Sequence, residues 1–88
     1  MLSSFNRNVA FTKLIKAQDR MREFNFRKIN NAPSDLFHVD VSDDRGNRIM
    51  FKMQREDNNH WRIIDEPIPS WVAETEKQLN DIIEEEIR

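Results

Sequence analysis

The sequence predicts an α+β fold in which an N-terminal helix, a four-stranded antiparallel meander sheet and a C-terminal amphipathic helix follow one another (α-β-β-β-β-α). Two observations lead to it. Apolar residues recur at helical spacing near both ends of the chain, and they alternate with polar residues between positions 24 and 64. We expect the two helices to pack on one face of the sheet.

The first predicted element is a helix over residues 6–20. Its evidence is the stripe that apolar residues form at spacings of three and four, with lysines and polar residues between them. The larger apolar residues of this stretch are Phe11, Leu14, Ile15 and Met21.

Four strands follow, because apolar and polar residues alternate one by one, which is typical of antiparallel strands with one buried face. Turn-forming clusters at 30–34, 43–47 and 55–59 separate them. The residues expected to face the core are, strand by strand, Phe24 and Phe26, then Phe37, Val39 and Val41, then Ile49, Phe51 and Met53, and finally Trp61 and Ile63.

The turn at 43–47 also predicts how its two strands pair. If Val41 lies opposite Ile49, the numbers of paired residues sum to 90 and residues 44–46 form the loop. Asp43 then opens a type I turn, and Gly46, the only glycine of the chain, takes the left-handed position of a G1 bulge.

The second predicted helix begins at Pro69 or Ser70, after the prolines that end the sheet. One side of it carries Val72, Leu79, Ile83 and Ile87, and the rest is mostly acidic. Carboxylates in its last turn are disfavoured by the helix dipole, so we expect the basic N-terminal segment to compensate them. Trp71 is expected to lock this helix onto the sheet rather than to bind a partner.

Composition bounds the class of protein. The 88 residues predict a single small domain (1–88) with 38% hydrophobic residues and a mean hydropathy of -0.83. Zero cysteines exclude disulfides and thiolate metal sites, and no apolar run approaches the roughly 20 residues of a membrane span. Charges interrupt the first twenty residues, unlike a signal peptide, so we expect cytoplasmic residence and no membrane partner.

The net charge of -2 conceals an uneven distribution. Residues 1–34 have a net charge of +5, residues 35–66 of -3 and residues 67–88 of -4. Such asymmetry favours pairing between the two ends, within one chain or between copies, or attraction of a charged partner.

Nothing in the sequence predicts catalysis. The two histidines, His38 and His60, lack a nucleophile context, and one glycine cannot form a phosphate-binding loop. Asp43, Asp44 and Asn47 are too closely spaced for a calcium loop and are interpreted as turn residues. We therefore expect no enzyme, no cofactor, no metal and no small-molecule substrate.

The outward-facing sheet residues give two hypotheses. Met50 and Ile64 are predicted to be neighbours there, and adjacent exposed apolar residues favour contact with a partner. The leading hypothesis is a small non-catalytic protein-interaction or regulatory module that self-associates, as a homodimer, or binds another protein. Its candidate partner surface is Met50, Ile64, Leu36 and Ile29.

The alternative is nucleic-acid binding. If Met53 lies opposite Trp61 in the last hairpin, the numbers of its paired residues sum to 114, and His38, Lys52 and Arg62 share one row across the sheet. Such a row could bind the phosphates of a nucleic acid. The candidate nucleic-acid face is Arg27, His38, Arg48, Lys52 and Arg62. The absence of outward-facing aromatic residues weighs against base stacking.

Overall fold

The computed structural model describes residues 9–30, 35–56, 58–64 and 67–87. They form a five-stranded antiparallel sheet curved into a half-barrel, followed by a short C-terminal helix. The strands are β1 (Ala10–Ala17), β2 (Arg20–Ile29), β3 (Leu36–Ser42), β4 (Arg48–Arg55) and β5 (Trp61–Ile63), paired in chain order. A helical turn α1 (Ser70–Ala73) leads into α2 (Glu76–Ile87).

The predicted N-terminal helix is wrong. Residues 10–17 form strand β1, and the first residues of the predicted helix lie outside the described residues. Ile15 and Ala17 alternate into the core, whereas Leu14, which the helical interpretation placed beside Ile15, is on the opposite face and 66% exposed. A two-residue turn joins β1 to β2, with positive φ at both Gln18 (55°) and Asp19 (66°), as a type I′ hairpin requires.

The prediction of two helices packed on one sheet face is also wrong. The sheet curves around its own core, and within the described ranges only the C-terminal segment adds helical residues to it. The buried apolar residues are Ile15, Ala17, Phe24, Phe26, Phe37, Val39, Val41, Phe51, Met53 and Trp61 from the sheet, with Val72, Leu79 and Ile83 from the C-terminal segment. The concave face of the half-barrel is therefore the buried one and the convex face is the wet one.

The β3–β4 hairpin confirms the predicted register. Val41 lies opposite Ile49, the Gly46 N–H donates to the Asp43 carbonyl at 3.1 Å, and Gly46 has φ +85°. No side-chain contact demands glycine here, because a Cβ built on Gly46 meets nothing within 4 Å. The backbone conformation alone favours it.

The β4–β5 hairpin is shifted by two residues from the prediction. Met53 lies opposite Ile63 rather than Trp61. Asn59 has φ 63°, and its N–H donates to the Glu56 carbonyl at 2.9 Å, as Gly46 does to Asp43. Asn59 thus takes the left-handed position that Gly46 has in the preceding hairpin, because asparagine tolerates this conformation better than most residues.

The C-terminal helix forms close to its predicted start, with Pro69 as N-cap, but it is interrupted after Ala73. The buried Thr75 hydroxyl donates to the Val72 carbonyl at 2.6 Å, a local bond that competes with helix continuation. Near the other end, Lys13 of β1 pairs with Glu86 at 3.2 Å, so a basic N-terminal residue does compensate one C-terminal carboxylate. In the described part of the chain, no helix is long and apolar enough to cross a membrane.

Candidate functional site

The convex face of the sheet carries every residue of the two predicted surfaces. Strand pairing arranges its side chains in rows across neighbouring strands, about 5 Å apart. One row contains Arg27, His38 and Lys52, which we name the basic row. The predicted pairing of His38 with Lys52, and the extension to Arg27, are confirmed.

The members of the basic row lie close together with little compensating charge. Arg27 Nη2 is 3.5 Å from His38 Nδ1. Among the described residues, neither Arg27 nor Lys52 forms an ion pair with a carboxylate. The row can therefore attract an anionic group without first breaking an ion pair within this part of the chain.

A ladder of hydrogen bonds runs beside the basic row. Thr12 Oγ1 donates to Asn25 Oδ1 at 2.7 Å, and Asn25 Nδ2 donates to Asp40 Oδ1 at 2.9 Å. Arg48 Nη1 lies 3.7 Å from the same Asp40 oxygen. These side chains, together with Arg27 and His38 of the basic row, border an open depression of about 420 Å³, which also contacts Met50. The cross-strand hydrogen bonds fix the orientation of the Thr12, Asn25 and Asp40 side chains.

Two predicted members of the nucleic-acid face, Arg48 and Arg62, form ion pairs with carboxylates of this chain. Arg62 is opposite Gln54, not Lys52, and it contacts Glu56 at 3.3 Å and Glu76 at 3.9 Å. Arg48 lies beside Asp40, as above. The register shift of β5 moves Arg62 one row away from Lys52, so Arg62 does not belong to the basic row, although Arg48 and Arg62 both lie on the convex face.

The predicted apolar partner surface is also rearranged. Met50 is 59% exposed and lies opposite Asp40, and Ile64 is 43% exposed. The Ile64 N–H donates to the Lys52 carbonyl at 3.0 Å, which places Ile64 at the end of the basic row and only diagonal to Met50. Ile29 and Leu36 face each other as a half-buried pair.

Sequence reasoning missed two exposed apolar residues of this face. Leu14 and Met21 are 66% and 58% exposed, and both project from the convex side of the β1–β2 hairpin. Their assignment to a helix concealed them. The sequence offers no local signal for them, because the adjacent apolar residues Leu14 and Ile15 break the alternation that is typical of a strand.

A second cluster lies at one end of the half-barrel, around the buried Arg22, which is 7% exposed. Its Nε donates to the Ala17 carbonyl at 2.9 Å and its Nη1 to Asp44 Oδ1 at 3.0 Å. Arg20 Nη1 reaches the same oxygen at 2.8 Å. An open cavity of about 250 Å³ adjoins this cluster and the Trp71 ring.

Both carboxylates of the β3–β4 turn are stabilised in the charged form. The hydrogen bond from Arg22 is the main cause that lowers the pKa of Asp44 below its ordinary 3.8, and the charges of Arg22 and Arg20 add to it. The N–H of Asn47 lowers the pKa of Asp43 in the same direction. These bonds are internal to the turn and its neighbours, so we interpret the cluster as structural.

The described residues contain no group of three or more histidines and carboxylates placed to hold a metal ion. Comparison of the chain with models of known protein families, with curated proteins and with solved structures finds no match.

Proposed function

We propose that this chain is a non-catalytic protein-interaction module whose convex sheet face binds an apolar and acidic surface of another protein. The observation that carries the proposal is the position of the exposed apolar side chains. Of the five large hydrophobic residues exposed in the described part of the chain, four lie on this face: Leu14, Met21, Met50 and Ile64. They form two pairs, Leu14 with Met21 on the β1–β2 hairpin and Met50 with Ile64 at β4 and β5, and neighbouring exposed apolar residues are typical of interaction surfaces.

Charge indicates the kind of partner. The strand residues of the convex face include five cations (Lys16, Arg27, Arg48, Lys52 and Arg62) and two carboxylates (Glu23 and Asp40), a net charge of +3 in a chain of -2. Two such faces would repel one another, so a homodimer through this face is disfavoured. An acidic partner is attracted instead.

Binding can be measured by fluorescence anisotropy with an amphipathic peptide of leucine and glutamate, and with the same peptide carrying lysine for glutamate. We expect the acidic peptide to bind and the basic one not to, with affinity falling as salt rises from about 0.05 to 0.5 M. Replacing Met50 and Ile64 together by serine should weaken binding by about fivefold or more, whereas Ile87→Ser, an apolar change on α2, should not.

Equal affinity for the two peptides, or none for either, would reject the acidic partner. Self-association remains a prediction that sedimentation equilibrium tests directly. A single monomeric mass over a wide concentration range would exclude self-association. A dimer that persists in the Met50 and Ile64 double variant would show that the dimer interface does not involve these two residues.

Nucleic-acid binding is a second candidate, favoured by the basic row alone. Against it, the aromatic residues of the described strands all have the inward parity. Labelled single-stranded DNA and RNA at low salt provide the test. Binding lost in a double variant, Arg27→Glu with Lys52→Glu, but kept in Arg45→Glu, would support this function, and no binding by the unchanged protein would reject it.

A further inference from the structure

The two edge strands of the sheet differ in what lies beside them. β5 has only three residues, and the Trp61 N–H on it donates to Asn80 Oδ1 of α2 at 2.7 Å. β1 has eight residues and, within the described part of the chain, pairs with β2 only. Among the described residues, β1 is therefore the longer edge strand and has no strand on its outer side.

The backbone of β1 points alternately toward β2 and away from it. The Lys28 N–H donates to the Val9 carbonyl at 2.8 Å, so Val9 belongs to a hydrogen-bonded pair. By alternation, the N–H and C=O groups of every second residue from Ala10 to Lys16 point out of the sheet. Among the described residues, none of these groups has a backbone partner. An added strand would supply one.

A groove of about 350 Å³ lies along this edge, between β1 and α2. Ile15 and Ile82 contribute apolar side chains to it, Leu14 flanks it from the convex side, and Gln78 and Asp81 border it on α2. Side chains of an added strand alternate between the two faces of the sheet, so every second one would point toward this groove.

Charge along the groove indicates which side chains fit. α2 carries five acidic residues and one basic residue, a net charge of -4. Glu86 pairs with Lys13, but Glu85 is exposed and forms no ion pair with any described residue. Asp81 is the carboxylate that borders the groove, and Glu85 follows it by one helical turn on the same side of α2. A cationic side chain on the incoming strand would therefore be attracted to this side of α2.

A second copy of the chain is the wrong occupant. Antiparallel pairing of β1 with its own copy relates the two by a two-fold axis perpendicular to the sheet. Both α2 helices would then lie on the same side of the joined sheet, next to the junction. Because each carries a net charge of -4, they would repel one another.

We propose that the β1 edge binds an extended apolar and basic peptide of another protein by strand addition. One apolar side chain packs against Ile15 and Ile82, and a lysine or arginine two residues away lies beside Glu85 and Glu86. Leu14 and Lys16 border both this site and the convex face. Strand addition uses the backbone of β1, so the proposal does not depend on the function proposed above.

A seven-residue peptide, Thr-Val-Val-Lys-Val-Val-Thr with blocked ends, is a suitable probe because it reads the same in both directions. Two versions carry N-methyl groups on alternate sets of amides. In strand addition only one set faces β1, so one methylated peptide should lose binding and the other should keep it. Exchanging the lysine for glutamate should weaken binding about fivefold.

Amide hydrogen exchange locates the peptide on the protein. Exchange at Leu14 and Lys16 should slow about tenfold when the peptide is bound, with no comparable change at Ile15, which already bonds to β2. Glu85→Lys should weaken binding of the lysine peptide, whereas Glu74→Lys, an equivalent change on an exposed residue near α1, should not. No saturable binding at millimolar peptide, or equal binding of the two methylated peptides, would overturn the proposal.

Discussion

The guanidinium carbon of Arg22 lies 4.4 Å from the centroid of the Trp71 ring. The same guanidinium bonds to the Ala17 carbonyl and to Asp44. One buried cation therefore connects the end of β1, the β3–β4 turn and the start of the C-terminal helix. It holds the C-terminal segment against one end of the half-barrel, which is the locking role expected of Trp71.

Arg22→Met should lower the free energy of unfolding by about 1.5–3 kcal/mol, because it removes a buried hydrogen bond to the Ala17 carbonyl, the bond to the exposed Asp44 and the stacking on Trp71. Arg20→Met is the matched control, since Arg20 bonds to the same Asp44 oxygen from an exposed position. We expect it to cost less than about 1 kcal/mol. Urea unfolding measures both, and equal losses would show that burial of Arg22 contributes nothing.

The lowered pKa of Asp44 predicts acid sensitivity. Since its folded-state pKa is below the ordinary 3.8, mainly through the hydrogen bond from Arg22, the stabilisation is present above that value and disappears as pH falls through the folded-state pKa. The melting temperature of Asp44→Asn should therefore lie below that of the unchanged protein at pH 6, and the two should converge in strong acid. A difference that persists unchanged in strong acid would contradict this.

Gly46 and Asn59 take the same left-handed position in successive hairpins. Gly46→Val should cost on the order of 1 kcal/mol or more, because a β-branched residue is strained at positive φ, and Gly46→Asn should cost less. The converse change, Asn59→Gly, should be tolerated, while Asn59→Val should destabilise. Thermal melts compare the four variants. If Gly46→Val melted at the same temperature as the unchanged protein, this result would contradict both the strain at positive φ and the turn register that places residue 46 there.

The contrast between these two hairpins shows what the sequence can predict. Where the left-handed residue is the only glycine, the register follows from the sequence. In the next hairpin Asn58 and Asn59 are both able to take that position, so the sequence allows two pairings that differ by two residues. Both pairings leave the same side chains of β5 facing the core. The prediction of which β5 residues face the core was therefore correct, but the prediction of their partners on β4 was wrong. As a result, Ile64 lies one row away from its predicted place beside Met50.

The first hairpin was missed for a related reason. Its turn consists of Gln18 and Asp19 at positive φ, where Asn-Gly or Gly-Gly would be the usual signal. Without that signal, the apolar residues at 11, 14 and 15 fit a helical stripe as well as a strand with one outward leucine. Strand pairing with β2, which no local pattern encodes, decides between the two.

The cover that α2 provides for β5 depends on one side chain. Asn80 Oδ1 accepts the backbone N–H of Trp61, a residue only 1% exposed, and so replaces the strand partner that β5 lacks on this side. Asn80→Leu keeps a side chain of similar size but removes the acceptor, leaving a buried donor without this bond. We expect a loss of about 1–3 kcal/mol and faster amide exchange at Trp61. Asn80→Asp keeps the acceptor oxygen and should retain most of the stability and the slow exchange. If both variants lose the same stability, the bond to Trp61 is not what secures this edge, and packing of α2 alone does.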